Sequence, residues 1–145
     1  MEKKPKIFME CNLIFDNDTD MNLITKAIGI APTSLKNKSE QRKSPFKDDN
    51  LEGYWSIQTN TFETFSLEDV TRNMMAIIKP HLDKMRKAVV NYDGSVDFMI
   101  VPEFFINDKP ALVFDREFLD VVSYFNATVQ IDMYVYEDDE DDEDD

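Results

Sequence analysis

Apolar and polar positions along this chain follow two different periods, which separates strands from helices. Residues 6–15 are mostly apolar, β-prone and aromatic with polar residues interspersed, and they predict a strand. Residues 16–20 predict a turn in which Asp20 caps a short helix. Leu23, Ala27 and Ile28 form its expected apolar stripe, Gly29 stops it and Pro32 lies just beyond. Residues 33–52 are the longest polar stretch before the C-terminal segment and are expected as a loop. Such a long loop is typically functional or mobile. Residues 53–59 predict a second strand carrying Tyr54, the sole tryptophan Trp55, and Ile57.

Leu67, Val70, Met74, Ile77, Ile78, Leu82, Met85 and Val89 then recur at three- and four-residue steps. This predicts an amphipathic helix over 66–90, with Ser66 as N-cap and Asp69 placing negative charge in its first turn. Pro80 removes a backbone donor inside it, so a kink or two abutting helices are expected near Lys79. After a turn at Tyr92-Asp93-Gly94, residues 96–106 predict a strand with Phe98, Ile100, Phe104 and Phe105. Pro102 suggests an edge position or a bulge there. Residues 111–114 predict a short strand, and Asp115 caps a third helix whose face is Phe118, Leu119, Val122 and Phe125, ended by Asn126. Residues 128–136 alternate. Val129, Ile131, Met133 and Val135 form an expected buried face, while Gln130, Asp132, Tyr134 and Tyr136 form a wet one. Aspartate at Ile131 or Met133 is therefore expected to unfold the domain. The order predicts an α+β fold: one mainly antiparallel sheet of four to five strands with about three helices, the longest packed across one face. Residues 1–136 are expected to form a single domain.

Charge changes this picture at one end. The net charge is −14, and residues 137–145 are all acidic. They hold nine of the 30 acidic residues, which leaves 21 acids against 16 bases and −5 for residues 1–136. A block of like charge gains no apolar burial to offset its ordering entropy, so 137–145 is expected to be a disordered, solvated tail. A basic protein is the favoured partner. Direct nucleic-acid binding is disfavoured, because the phosphate backbone is also negative. One local exception is the 33–52 loop, where Lys36, Lys38, Arg42, Lys43 and Lys47 face a single acid, Glu40, before Asp48. It suits phosphate or the acidic tail. No window approaches 18 apolar residues, so no membrane span is expected, and the N-terminal stretch lacks a signal-peptide cleavage pattern. A cytoplasmic location is the expectation.

Candidate chemistry is sparse. Cys11 is the only cysteine and lies in an apolar run, which predicts a buried, inert thiol. His81 is the only histidine, so a zinc site of the usual His/Cys ligands is excluded by count and a Cys-His or Ser-His-Asp system has little to build on. Three glycines, Gly29, Gly53 and Gly94, write no phosphate-binding loop. Asp16, Asp18 and Asp20 alternate as in a calcium loop, but Met21 and Ala27 stand where that motif needs glycine and glutamate, so a helix-capping turn is the reading. No cofactor or metal is expected, and the chain is not expected to be an enzyme.

Four spaced pieces look familiar together: Ile28-Gly29-Ile30-Ala31-Pro32-Thr33, Gly53-Tyr54-Trp55, Phe114-Asp115 with Leu119, and Ile131-Asp132-Met133-Tyr134. With them the chain resembles the bacterial domain-of-unknown-function family numbered 4279, over residues 8–134. Such domains often carry a Lys-Gly-Asp-like step in the long loop. The nearest counterpart here is Lys38-Ser39-Glu40, without the glycine, which implies a different loop path. The resemblance implies an α+β fold and a bacterial or phage origin. It implies no established activity and supplies no catalytic residues.

Two function classes follow. The first is a non-catalytic acidic protein-binding domain, an inhibitor such as a toxin immunity protein or a phage-encoded inhibitor of a host defence enzyme. It would cover a basic surface on a nuclease toxin or a nucleic-acid-binding enzyme. The second is a small-ligand-binding domain or a carboxylate-based enzyme. Candidate contact residues are Tyr54, Trp55, Asp132, Tyr134 and Tyr136, the loop residues Lys36, Lys38, Arg42, Lys43 and Lys47, and the tail from Glu137, Asp138 and Asp139.

Overall fold

Alternation in the first segment is realised as β1 (Lys6–Phe15), whose Ile7, Met9, Cys11, Leu13 and Phe15 are all buried on one face. The computed structural model describes residues 3–41 and 51–138, and within them β1 is the middle strand of a mixed sheet. β3 (Gly53–Gln58) and β5 (Ser95–Phe105) flank it, both antiparallel. β2 (Ser34–Lys36) extends the sheet beyond β3, and β4 (Phe62–Glu63) pairs with the start of β1. β6 (Thr128–Ile131) and β7 (Tyr134–Tyr136) both run parallel to β5. The fold is α+β with seven strands, more than the four to five expected, because three-residue β2 and two-residue β4 are too short to show a period and the last strand is divided.

That division has a cause in the sequence. The N–H of Asp132 donates to the Ile100 carbonyl at 2.9 Å, and in a parallel ladder the next rung would come from the nitrogen of residue 102. Residue 102 is proline, so the rung is missing where β6 ends and β7 has yet to begin. Pro102 therefore does not mark an edge or a bulge. It sits in an interior strand, and its cost falls on the neighbouring one.

α1 (Met21–Ile28), α3 (Leu67–Ile78), α4 (Leu82–Asn91) and α5 (Arg116–Phe125) gather on one face of the sheet, and α2 (Lys38–Gln41) is a single turn beside β3. α3, the longest, lies against β1, α1 against β3 and α5 against β5. Pro80 divides the predicted long helix through a 3₁₀ turn at Lys79–His81, as its missing donor requires. The caps are those expected by residue type. Asp20 accepts from the Asn22 N–H and Asp115 from the Phe118 N–H, while Gly29 (φ 88°) and Asn126 (φ 53°) end their helices in the left-handed region. Ser66 is the N-cap of α3, but its side chain makes no capping bond. Thr64 instead accepts from the Ser66 N–H and donates to Asp69.

Three sequence expectations are corrected by packing. In α1 the buried residues are Met21, Ile24 and Ile28, with Leu23 exposed, and in α5 they are Phe118, Val121 and Phe125, with Leu119 exposed. Each stripe is rotated from the expected one, because the sheet lies under a different side of a short helix. Residues 111–114 form no strand, only a single bridge from Ala111 to Ser66. Residues 128–136 keep the expected facing, but of the apolar face only Val129 packs against the core, while Ile131, Met133 and Val135 stay exposed. Ile131 stays 38% and Met133 50% exposed, so neither is a core position and aspartate there is not expected to unfold the domain.

Candidate functional site

Among the described residues, helices cover one face of the sheet and none covers the other, so the alternate residues of every strand meet there. Strand register sets Ser34, Ser56, Asn12, Asp97 and Thr128 side by side in one polar row across five strands. A second row, Gln58, Glu10, Met99 and Gln130, lies beside it. From the two rows, Ser34, Ser56, Asn12, Asp97, Glu10, Met99 and Gln130 floor a cleft of about 520 Å³, walled by Ile14, Leu51, Glu52 and Tyr54.

Two neighbouring pairs in the row are each joined by a hydrogen bond. Ser56 donates to the Asn12 side-chain oxygen. Thr128 donates to Asp97 at 2.6 Å and the Gln130 amide donates to the same carboxylate oxygen at 3.0 Å. Asp97 is only 3% exposed, an unusual place for a carboxylate. The donors described around it are neutral, and a buried charge held this way retains a field that favours a cation above it. Three carboxylates, Glu10, Glu52 and Asp97, line the cleft, and its described lining includes no lysine, arginine or histidine.

The candidate residues from sequence separate clearly. Tyr54 is half-buried in the cleft wall. Lys36 pairs with Tyr54 in register and so shares the helix-free face at the β2 edge. Tyr134 and Tyr136 belong to this face at the opposite edge. Tyr134 donates to Asp132 at 3.2 Å and Tyr136 to Glu103 at 3.0 Å. The sheet thus brings Lys36, Tyr54, Asp132, Tyr134 and Tyr136 to one surface, about 19 Å wide at roughly 4.8 Å per strand. Both edge tyrosines titrate above the ordinary phenol range, Tyr134 through the Asp132 charge and then its hydrogen bond, Tyr136 chiefly through its bond to Glu103.

Trp55 is not a contact residue. It is fully buried on the helix side, with its indole N–H donating to the Thr25 hydroxyl at 2.9 Å. Lys38 is engaged with Asp16 at 3.1 Å. Glu137 and Asp138 follow β7 as an exposed and a half-buried residue, while Arg42, Lys43, Lys47 and Asp139 lie outside the described residues. Cys11 is buried, and burial, with a smaller contribution from the Asp97 charge, pushes its thiol far up. His81 stands in the 3₁₀ turn between α3 and α4. Among the described residues no group of His, Cys, Asp and Glu is arranged to hold a metal ion, and no helix is long and apolar enough to cross a membrane.

Sequence reasoning missed Glu10, Asn12, Ser56, Asp97 and Gln130. A signal was present, since Asn12 and Asp97 interrupt the interiors of otherwise apolar strands.

A family model described as "Domain of unknown function (DUF4279)" matches residues 13–136, which include all of the helix-free face except the first part of β1. The chain belongs to that family. No curated protein and no solved structure matches it.

Proposed function

We propose that this DUF4279 domain is a non-catalytic, acidic protein-binding domain. In this reading it is a bacterial or phage inhibitor, of the kind a toxin immunity protein represents, that covers a basic surface of its target with the helix-free face of its sheet. One observation carries the reading: the bare face is broad, polar and acid-lined, and its described lining offers contact groups without a nucleophile and base to act together. The single thiol is buried and protonated on the other side of β1, and the single imidazole lies on the helix layer. An acidic surface suits a basic, nucleic-acid-binding partner, and the net charge of −14 speeds the encounter.

The test is neutralisation of a neighbouring gene's product. Expression of that product alone arrests growth, and co-expression of this chain restores it. Glu10→Lys with Tyr54→Lys abolishes rescue without moving the thermal melt. A neighbouring product that is neither bound nor neutralised overturns the reading. A second reading, a small cationic ligand in the cleft, is favoured by the burial of Asp97 beneath it. Free arginine or spermidine that raises the melting temperature, and fails to do so in Asp97→Asn, would select it.

A further inference from the structure

β6 and β7 form the outer edge of the sheet, and along them the inward and outward backbone groups can be assigned. The N–H of Asp132 bonds inward to Ile100, and the carbonyl of Tyr136 accepts inward from Ile106 at 2.9 Å. The register from Asp97↔Thr128 to Phe105↔Tyr136 does not slip, so even-numbered residues face β5 throughout. Val129, Ile131, Met133 and Val135 therefore direct their N–H and C=O groups away from the sheet. Among the described residues these groups make no backbone hydrogen bond.

Side chains along this edge are as open as the backbone. Ile131, Met133 and Val135 are exposed on the helix side, and Tyr134 and Tyr136 on the other. An edge of nine residues, about 30 Å long, with outward backbone groups, exposed apolar side chains on one face and tyrosines on the other is a template for one more strand. Charge decides what that strand is. β7 runs directly into Glu137 and Asp138, and every residue from there to Asp145 is acidic. A second copy would bring another chain of net charge −14 to the same edge, so self-pairing is opposed.

We infer that the β6–β7 edge takes up an extended segment of a basic protein by strand addition, with alternating apolar residues along the edge and lysine or arginine at the end lying beside Glu137 and Asp138. Backbone bonds would supply affinity, and the acidic run would choose partner and direction. The inference rests on the reading that a basic protein is bound, and it names the part of that protein and the surface that holds it.

The probe is a synthetic peptide of alternating valine and threonine with three lysines at one end, compared with the same peptide ending in glutamates. Hydrogen exchange of the full chain is followed at single amides. The lysine peptide is expected to slow the Ile131, Met133 and Val135 amides by about tenfold or more, and the glutamate peptide to leave them unchanged. Met133→Pro removes an outward donor that carries no rung, so it is expected to fold normally and lose the peptide. Val135→Lys, which leaves the backbone intact, is expected to weaken it by placing like charge beside the lysines.

Three results overturn the inference: no slowing with the lysine peptide, equal slowing with both peptides, or slowing without peptide in a sample that sediments as a dimer. Failure here is distinguishable from failure of the wider reading. A neutralised partner that protects residues 10–14 and 54–58 while leaving 131–135 unprotected would remove the edge and keep the inhibitor. Loss of neutralisation altogether removes both.

Discussion

Replacing Trp55 by phenylalanine tests whether the sole tryptophan is a structural strut or a recognition residue. Trp55 is fully buried between β3 and α1, and its indole N–H reaches the Thr25 hydroxyl at 2.9 Å. Phenylalanine removes that donor and roughly two buried ring carbons. The carbons contribute about 1.6 kcal/mol at roughly 0.8 each, and the hydrogen bond about 1 kcal/mol net. Incomplete collapse of the space adds a few tenths more, for a total of about 3 kcal/mol. For a domain of this size that lowers the melting temperature by about 10 °C. Thr25→Val leaves the indole N–H buried without its acceptor and is expected to cost about 1–3 kcal/mol. The assay is urea denaturation followed by far-UV circular dichroism on wild type, both single variants and the double variant. A coupling of about 0.5–1.5 kcal/mol between the two sites is expected. Full stability in Trp55→Phe, or zero coupling with Thr25, would refute the packing argument. Neutralisation of the partner by Trp55→Phe should be unchanged below its melt, and loss of it would return Trp55 to the contact surface.

Two further outcomes follow from the edge strand. Ile131→Asp and Met133→Asp should each cost less than about 1 kcal/mol by urea denaturation, because both side chains keep water on one side; a chain that fails to fold would show the edge to be core. For Tyr136, the bond to Glu103 is made only by the protonated phenol and raises its titration above the ordinary value of about 10. Any stability from that bond is complete below the unfolded value and is lost as pH rises through the folded one. Glu103→Ala should lower the Tyr136 midpoint, read from its ring carbon resonance, and an unchanged midpoint would refute the pairing.

Much of the fold was legible because its signals are local. Asp20, Gly29, Asp115 and Asn126 each act within one turn, and Pro80 breaks its helix wherever the rest of the chain goes. The short stripes of α1 and α5 were read with the wrong phase, since a short helix turns its face to whatever lies beneath it. The site was largely illegible for a different reason. Phe8, Ile14 and Met99 lie on the helix-free face yet remain half-buried, so β1 and β5 read as nearly continuous apolar runs and hide which residues share a face. Asn12, Ser56, Asp97 and Thr128 come from four segments far apart in sequence, and only strand register places them in a row. No spacing rule reports a register.

The strand that closes the sheet and the charge that follows it answer one physical problem. Pro102 removes the rung that would tie residues 132–133 to β5, and Ile131, Met133 and Val135 stay exposed, so the last strand lacks a rung and carries an open apolar face. Left neutral, such an edge would pair with any other open strand, its own copies first. Acidic residues placed immediately after it raise the cost of bringing two copies together while lowering that of a basic segment. The effect is strongest close to the edge, since the Debye length at physiological salt is about 8 Å. Charge at that distance acts on what docks along β7 and much less on the cleft at the centre of the sheet. The two surfaces are therefore selected by different physics. In the proposed reading the cleft would select through shape and the carboxylates of Glu10, Glu52 and Asp97, and the edge through backbone geometry screened by a field of one sign.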